Sequence, residues 1–276
     1  MATPSASNGR EAVIRVRGLV NRYDENIVHE NLDLDVWRGE VLGVVGGSGT
    51  GKSVLLRSII GLNRIAAGSI DLLGTDMIHG NAEAMRAVRQ RFGVLFQDGA
   101  LFSSLTVAQN IQVPLKEFYD LPQDLLDEIA AAKIRMVGLP ADAGRKLPAE
   151  LSGGMRKRAG LARALALDPE VVFFDEPTAG LDPIGAAAFD QLVRDLQQAL
   201  GLTVFMVTHD LDSLYAICDR IAVLAEKKVL ISGPMSAMLE DRHPWVREYF
   251  HGPRARAAAV TAQLDAEHLD RGSPPR

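Results

Sequence analysis

One cysteine, Cys218, stands in 276 residues. A lone cysteine excludes a disulfide framework and any zinc site built from several cysteines. Basic residues are outnumbered by acidic ones, 30 against 35, giving a net charge of −5. Coating nucleic acid calls for a basic face toward the phosphates, so that class is disfavoured. Long apolar runs are missing as well. The longest uncharged run, Gly99 to Leu115, carries Ser103, Ser104, Thr106, Gln109, Asn110 and Gln112, and a spanning helix needs about 20 mainly apolar residues. The opening MATPSASNGR has no apolar core and no early positive charge, unlike a secretory signal, so the expected location is the cytosol. No internal repeat is found at a period of about 20–50 residues.

What is present reads as a folded α/β chain, with 47% apolar and 24% charged residues. Residues 1–10 are small and polar, and are expected to be a disordered lead-in. From Val13, VIRVRGLV and then NLDLDVW alternate apolar and polar residues, the pattern of antiparallel strands with one solvated face. Three very apolar runs follow, VLGVV (41–45), VVFF (171–174) and LTVFMV (202–207). Strands buried on both faces belong to a parallel sheet covered by helices. Helical stretches are expected at 53–62, 83–91, 123–137, 154–167, 184–200 and 211–218, with a helical subdomain over about 98–166. The main domain is expected to span 11–235. An extension over 236–276 follows, helical across 236–250.

Gly46-Gly47-Ser48-Gly49-Thr50-Gly51-Lys52-Ser53 follows the first buried strand and opens a helical pattern. Glycines at this spacing let backbone N–H groups converge on phosphate oxygens at a helix N-terminus. Lys52 would neutralise phosphate charge and the Ser53 hydroxyl would hold Mg2+. Asp175 and Glu176 close the VVFF strand, where one carboxylate can serve Mg2+ and the other can polarise water. Leu151-Ser152-Gly153-Gly154-Met155 offers an N-cap serine and two glycines at a second helix start, ahead of Arg156, Lys157, Arg158 and Arg163. Taken alone, that basic run is a solvated helix face.

The set resembles the nucleotide-binding subunit of an ABC transporter, over about residues 13–235. The resemblance implies a P-loop, RecA-like core with an N-terminal antiparallel β subdomain and an inserted helical subdomain. It makes Gly46 to Ser53 the Walker A loop, Gln97 the Q-loop glutamine near Mg2+, and Leu151 to Met155 the signature. Asp175 and Glu176 become the Walker B end, Ala179 to Asp182 the D-loop, His209 the switch histidine, and Tyr23 the aromatic on adenine. Val54 stands where the family often has Thr or Ser, Met155 replaces the usual glutamine, and Ala179 the usual serine. ATP and Mg2+ are the implied ligands. The implied assembly is a head-to-tail dimer in which Ser152, Gly153 and Gly154 close over the other copy's ATP.

GGSGTGKSVLLR, the Leu95 to Ser103 string, LSGGM and His243-Pro244-Trp245-Val246-Arg247 are similar to the Mla-type phospholipid-transport ATPases. That implies an integral-membrane permease, an MCE-domain protein and a small STAS-domain accessory protein as partners, with no nucleic acid. The site of action would be the cytoplasmic face of the inner membrane. An importer for a small polar solute and a non-transport ABC ATPase acting on nucleic acid are the alternatives. Leu101, Phe102 and Leu105 suit either a groove for a permease helix or the packing of the helical subdomain. Trp245, Tyr249 and Phe250 suit a docking surface, with packing of Trp245 and Phe250 on their own sheet as the alternative. Residues 251–276 are expected to wrap onto a second copy or an accessory protein.

Overall fold

The computed structural model describes residues 9–252. The readings made for residues 1–8 and 253–276 lie outside the described residues. The chain runs β1 (Ala12–Tyr23), β2 (Asn26–Trp37), β3 (Val41–Gly46), α1 (Lys52–Ile59), β4 (Ala67–Leu72), β5 (Thr75–Asp76), α2 (Ala82–Arg89) and β6 (Phe92–Leu95). Helices α3 (Val107–Phe118) and α4 (Gln123–Met136), two short 3-10 turns and α5 (Gly153–Ala164) follow. Then come β7 (Val171–Asp175), α6 (Pro183–Leu200), β8 (Thr203–Val207), α7 (Leu211–Ile217), β9 (Arg220–Ala225), β10 (Lys228–Gly233), α8 (Met235–Glu240) and α9 (Pro244–His251).

Two sheets form. The first, in order β2-β1-β4-β5, is antiparallel, with Ile14 opposite Val36 and Val16 opposite Leu34. The second, in order β10-β9-β3-β8-β7-β6, is parallel except for β10 at one edge. Side chains along its central strands alternate between faces, as the period of two demands. Phe173, Phe205 and Val207 join Ile14, Val16, Leu34 and Leu56 under the antiparallel sheet. Val172, Phe174, Val204 and Met206 instead meet Val107, Ile111, Leu161 and Phe189 from the helices on the opposite face. A third cluster fixes the C-terminal helices: Val246 and Phe250 are buried beside Met238, Leu214 and Val223.

Several elements differ from the sequence expectations. Helix α3 was not anticipated, because the uncharged run from Gly99 carries many amides and Pro114 lies inside the helix. Its start is nonetheless encoded: Thr106 accepts from the Gln109 backbone at 3.2 Å and the Gln109 side chain returns a bond to Thr106 N at 2.9 Å, a capping box. Strands β4, β5, β9 and β10 were not singled out either. The expected helix over 236–250 is two helices, since the chain is extended at Asp241 and His243 and Pro244 starts α9 afresh. Trp245 and Phe250 belong to a helix packed on its own domain rather than to an open docking face.

Between α6 and α7 lies a buried carboxyl, Asp190, 4% exposed. Ser213 donates to one of its oxygens at 2.7 Å, and the other has no partner among the described residues. Burial, with Asp210 and Asp212 adding to it, raises its pKa to about 7. The native state therefore keeps a proton that the unfolded chain releases near pH 4. Stability from this group is full below that value and falls as pH rises to about 7. Asp190→Asn should remove the loss, of order 4 kcal/mol. Melting temperatures at pH 5 and pH 8 check this: the variant should gain on the wild type at pH 8, and an unchanged difference would refute it.

Candidate active site

Three parallel strands end together. Val44 of β3 and Asp175 of β7 both sit level with Val207 of β8, so the loops leaving these strands converge at one edge of the sheet. Helix α1 begins at Lys52 with no side-chain cap, leaving its first amides for an anion. Its N-cap Gly51 has φ +90°, and a Cβ there would come 2.4 Å from Val28 and 2.5 Å from His29. Only glycine fits that conformation and that space.

Behind the loop stands a buried polar chain. Ser58 Oγ donates to Val54 O at 2.8 Å and accepts from Asn21 Nδ2 at 3.0 Å. Asn21 Oδ1 is thus left to accept from His29 Nδ1 at 2.9 Å. His29 carries its proton on Nδ1, and burial lowers its pKa to about 4. Its ring is a neutral wedge beneath Gly51.

Inside the loop, Lys52 Nζ donates to Gly46 O at 2.9 Å and Gly47 O at 3.2 Å. Burial lowers its pKa, opposed by Glu176 and Asp175. Ser53 Oγ donates to Asp175 Oδ1 at 2.8 Å. His209 Nδ1 lies 2.7 Å from Glu176 Oε2, and its backbone N–H reaches the same oxygen at 3.3 Å. The structure therefore groups Gly46, Gly47 and Lys52, Ser53 and Asp175, and Glu176 and His209 as three hydrogen-bonded sets, adjacent along the chain. Ser48, Gly49 and Thr50 line the same loop, with Thr50 Oγ1 donating to Gly47 O at 2.9 Å. Val54 follows on α1 with its carbonyl bonded to Ser58.

Other expected residues are not bonded into those sets. Tyr23 ends β1 with 48% exposure. Gln97 is exposed on the loop after β6. Ser152 caps α5 by accepting from Met155 N at 3.2 Å, while a Cβ on Gly153 or Gly154 would stand about 4 Å from Leu181. Among the described residues, no hydrogen bond joins Ser152, Gly153 or Gly154 to the P-loop of their own chain.

Glu176 adopts φ +54°, a left-handed conformation that costs a non-glycine residue roughly 1 kcal/mol or more. Both of its peptide groups are held. Its N–H donates to Val207 O at 2.8 Å, and its carbonyl accepts from Lys157 Nζ at 3.0 Å. Lys157 Nζ also donates to the Gln97 carbonyl. Sequence reasoning placed Lys157 on a solvated basic face; the structure buries it to 5% exposure. Arg163, two turns on, donates to Gly99 O at 2.9 Å and Ala100 O at 2.6 Å. Helix α5 thus anchors the loop after β6 from beneath. Asn110 fixes the next stretch, bonding Phe102 through both N–H and carbonyl and also Leu105 O and Thr106 O.

A glycine-wrapped, uncapped helix start facing a serine–carboxylate pair, with a second carboxylate and a histidine beside it, defines a P-loop nucleoside triphosphatase. Comparison with known proteins narrows this. The ABC transporter family model matches residues 29–179. The probable ribonucleotide transport ATP-binding protein mkl of Mycobacterium leprae is 40% identical over 91% of this chain and 72% of its own length. The intermembrane phospholipid transport system ATP-binding protein MlaF of Escherichia coli K12 is 39% identical over 82% of this chain and 83% of its own. The dimeric post-hydrolysis structure of the ATP-binding cassette MJ0796, bound to ADP and Pi, is 27% identical with a TM-score of 0.73, covering 80% of this chain and 98% of that one. The chain belongs to the ABC transporter family, as its ATP-binding, ATP-hydrolysing subunit.

Lys157→Met keeps the stem of the side chain and removes the ammonium that serves both carbonyls. Loss of two charge-assisted bonds should lower kcat roughly tenfold or more, with ATP still bound by the P-loop. Steady-state ATPase assays beside a nucleotide titration check this; wild-type turnover would show that Glu176 needs no such support.

Proposed function

We propose that this chain powers phospholipid movement between the inner and outer membranes, as a head-to-tail dimer docked on an integral-membrane permease. The supporting observation is the likeness to MlaF across four-fifths of both chains. Among the described residues no helix is long and apolar enough to cross a membrane. The reading therefore places the subunit peripherally on the cytoplasmic face of the inner membrane. An MCE-domain protein and a STAS-domain accessory protein complete the proposed assembly, with no role for nucleic acid. Phe102, 51% exposed on the loop that Asn110 pins, offers the permease a rigid apolar contact. Leu101 packs inward against the helices.

In this reading ATP lies on the P-loop with Tyr23 against adenine. Lys52 turns from the Gly46 and Gly47 carbonyls to the phosphates. The hard oxygen donors of Ser53 and Asp175, which already meet at 2.8 Å, suit Mg2+, with Gln97 completing its surroundings. Bound there, Mg2+ neutralises phosphate charge. Glu176 takes a proton from the attacking water. His209, held beside Glu176 through Nδ1, makes the contact to the γ-phosphate. Ser152, Gly153 and Gly154 of the second copy close the site.

A second reading, import of a small polar solute, is favoured by the mycobacterial relatives, whose name specifies probable ribonucleotide transport. Mass spectrometry of proteins co-purifying in mild detergent separates the two. A permease with an MCE-domain protein supports lipid transport, and a periplasmic solute-binding protein refutes it.

Two variants test the chemistry. Glu176→Gln should bind Mg·ATP yet hydrolyse it at least about 100-fold more slowly, accumulating as a dimer on size-exclusion chromatography; near wild-type turnover would contradict the base assignment. Ser152→Arg should abolish hydrolysis while leaving ATP binding to the isolated subunit intact. Loss of that binding would place the signature in the wrong copy.

A further inference from the structure

Helix α9 lies beyond every nucleotide motif, yet it reaches two of them. Val246 and Phe250 are buried against β9 and α8, which fixes the opposite side of the helix over the sheet edge where the catalytic loops emerge. There Trp245 and Tyr249, one helical turn apart, stack with ring centroids 4.8 Å apart and planes 14° from parallel. Phe250 meets the Tyr249 ring edge-on at 5.0 Å. The tyrosine is therefore braced on two sides. Its hydroxyl donates to the His209 carbonyl at 3.0 Å. The Trp245 indole nitrogen lies 3.5 Å from the position a Cβ on Gly47 would occupy.

We propose that Tyr249 is a positioning residue for ATP hydrolysis, and that α9 acts as a strap joining the histidine loop to the P-loop. His209 sits on an exposed connection between β8 and α7, its side chain 68% exposed. Its N–H is tied to Glu176 and its carbonyl to Tyr249, so both peptide groups flanking the histidine are fixed. Removing the tyrosine hydroxyl frees one of them. The ring can then leave Glu176 without disturbing the core, since Val246 and Phe250 carry the packing. Burial, with the charges of Glu176 and Asp210, raises the Tyr249 pKa, so the hydroxyl stays a donor at working pH. Trp245 makes the same helix answer to the first turn of the P-loop.

The proposal rests on His209 and Glu176 forming the ATPase site, and the test separates the two claims. Tyr249→Phe keeps the ring and its stacking. It should lower kcat about three- to tenfold, the scale of one lost hydrogen bond, with KM for Mg·ATP and the melting temperature unchanged. In a double-mutant cycle under single-turnover conditions, Tyr249→Phe should cost nothing further once His209 is alanine. Wild-type kcat in Tyr249→Phe, or an undiminished loss in the His209→Ala background, would overturn the strap. Wild-type kcat in His209→Ala itself would instead overturn the site. In a Trp37→Phe chain, Trp245 is the sole tryptophan. Its emission should shift on saturation with Mg·ADP; unchanged emission would remove the P-loop arm of the proposal.

Discussion

Everything at the site depends on the register of three parallel strands. β3, β8 and β7 are buried on both faces, so no charged side chain is tolerated along their length and their backbone groups must pair with one another. Polar chemistry is driven to the strand ends. Because Val44, Val207 and Asp175 are level, the P-loop, the histidine loop and the carboxylate pair leave the sheet together. A one-residue slip would exchange the faces of Asp175 and Phe174 and separate Ser53 from its partner.

From that edge outward, the site is held by groups that never touch the substrate. His29 and Asn21 wedge the P-loop from behind, and Lys157 supports the left-handed backbone at Glu176 from below. Helix α5 is the shared member. Its first turn presents Ser152 outward, and a little over one turn later Lys157 points inward to Glu176 and Gln97. In the proposed dimer a single rigid helix serves the neighbour's ATP at its tip and its own catalytic base along its side.

The catalytic loops were legible because their residues are contiguous and unusual: a glycine-rich loop and an acidic pair at the exits of very apolar strands. The strands β3, β7 and β8 were legible for the same reason, their burial on both faces leaving uninterrupted apolar runs. The supports were not. Lys157 sits in a basic run that reads as solvated, and only the depth of the tertiary packing shows that its ammonium is enclosed by carbonyls. Asn110 lies on α3, whose helical period is masked by amides and Pro114. Tyr249 reads from the sequence as part of an apolar docking surface. Its neighbours Val246 and Phe250 turn out to pack, while its own hydroxyl meets a loop forty residues away in sequence. Long-range pairings of this kind leave no local signature.

The central claim is that the chain holds half of each ATP site and that ATP joins the halves. A disulfide trap tests it, with Ser48→Cys on the exposed P-loop and Ser152→Cys on the signature in one chain, and with Cys218→Ala and Glu176→Gln to remove background and hydrolysis. Under mild oxidation, covalent dimers should form rapidly with Mg·ATP and scarcely without nucleotide. Equal trapping with and without ATP, or trapping within a single chain, would contradict the account.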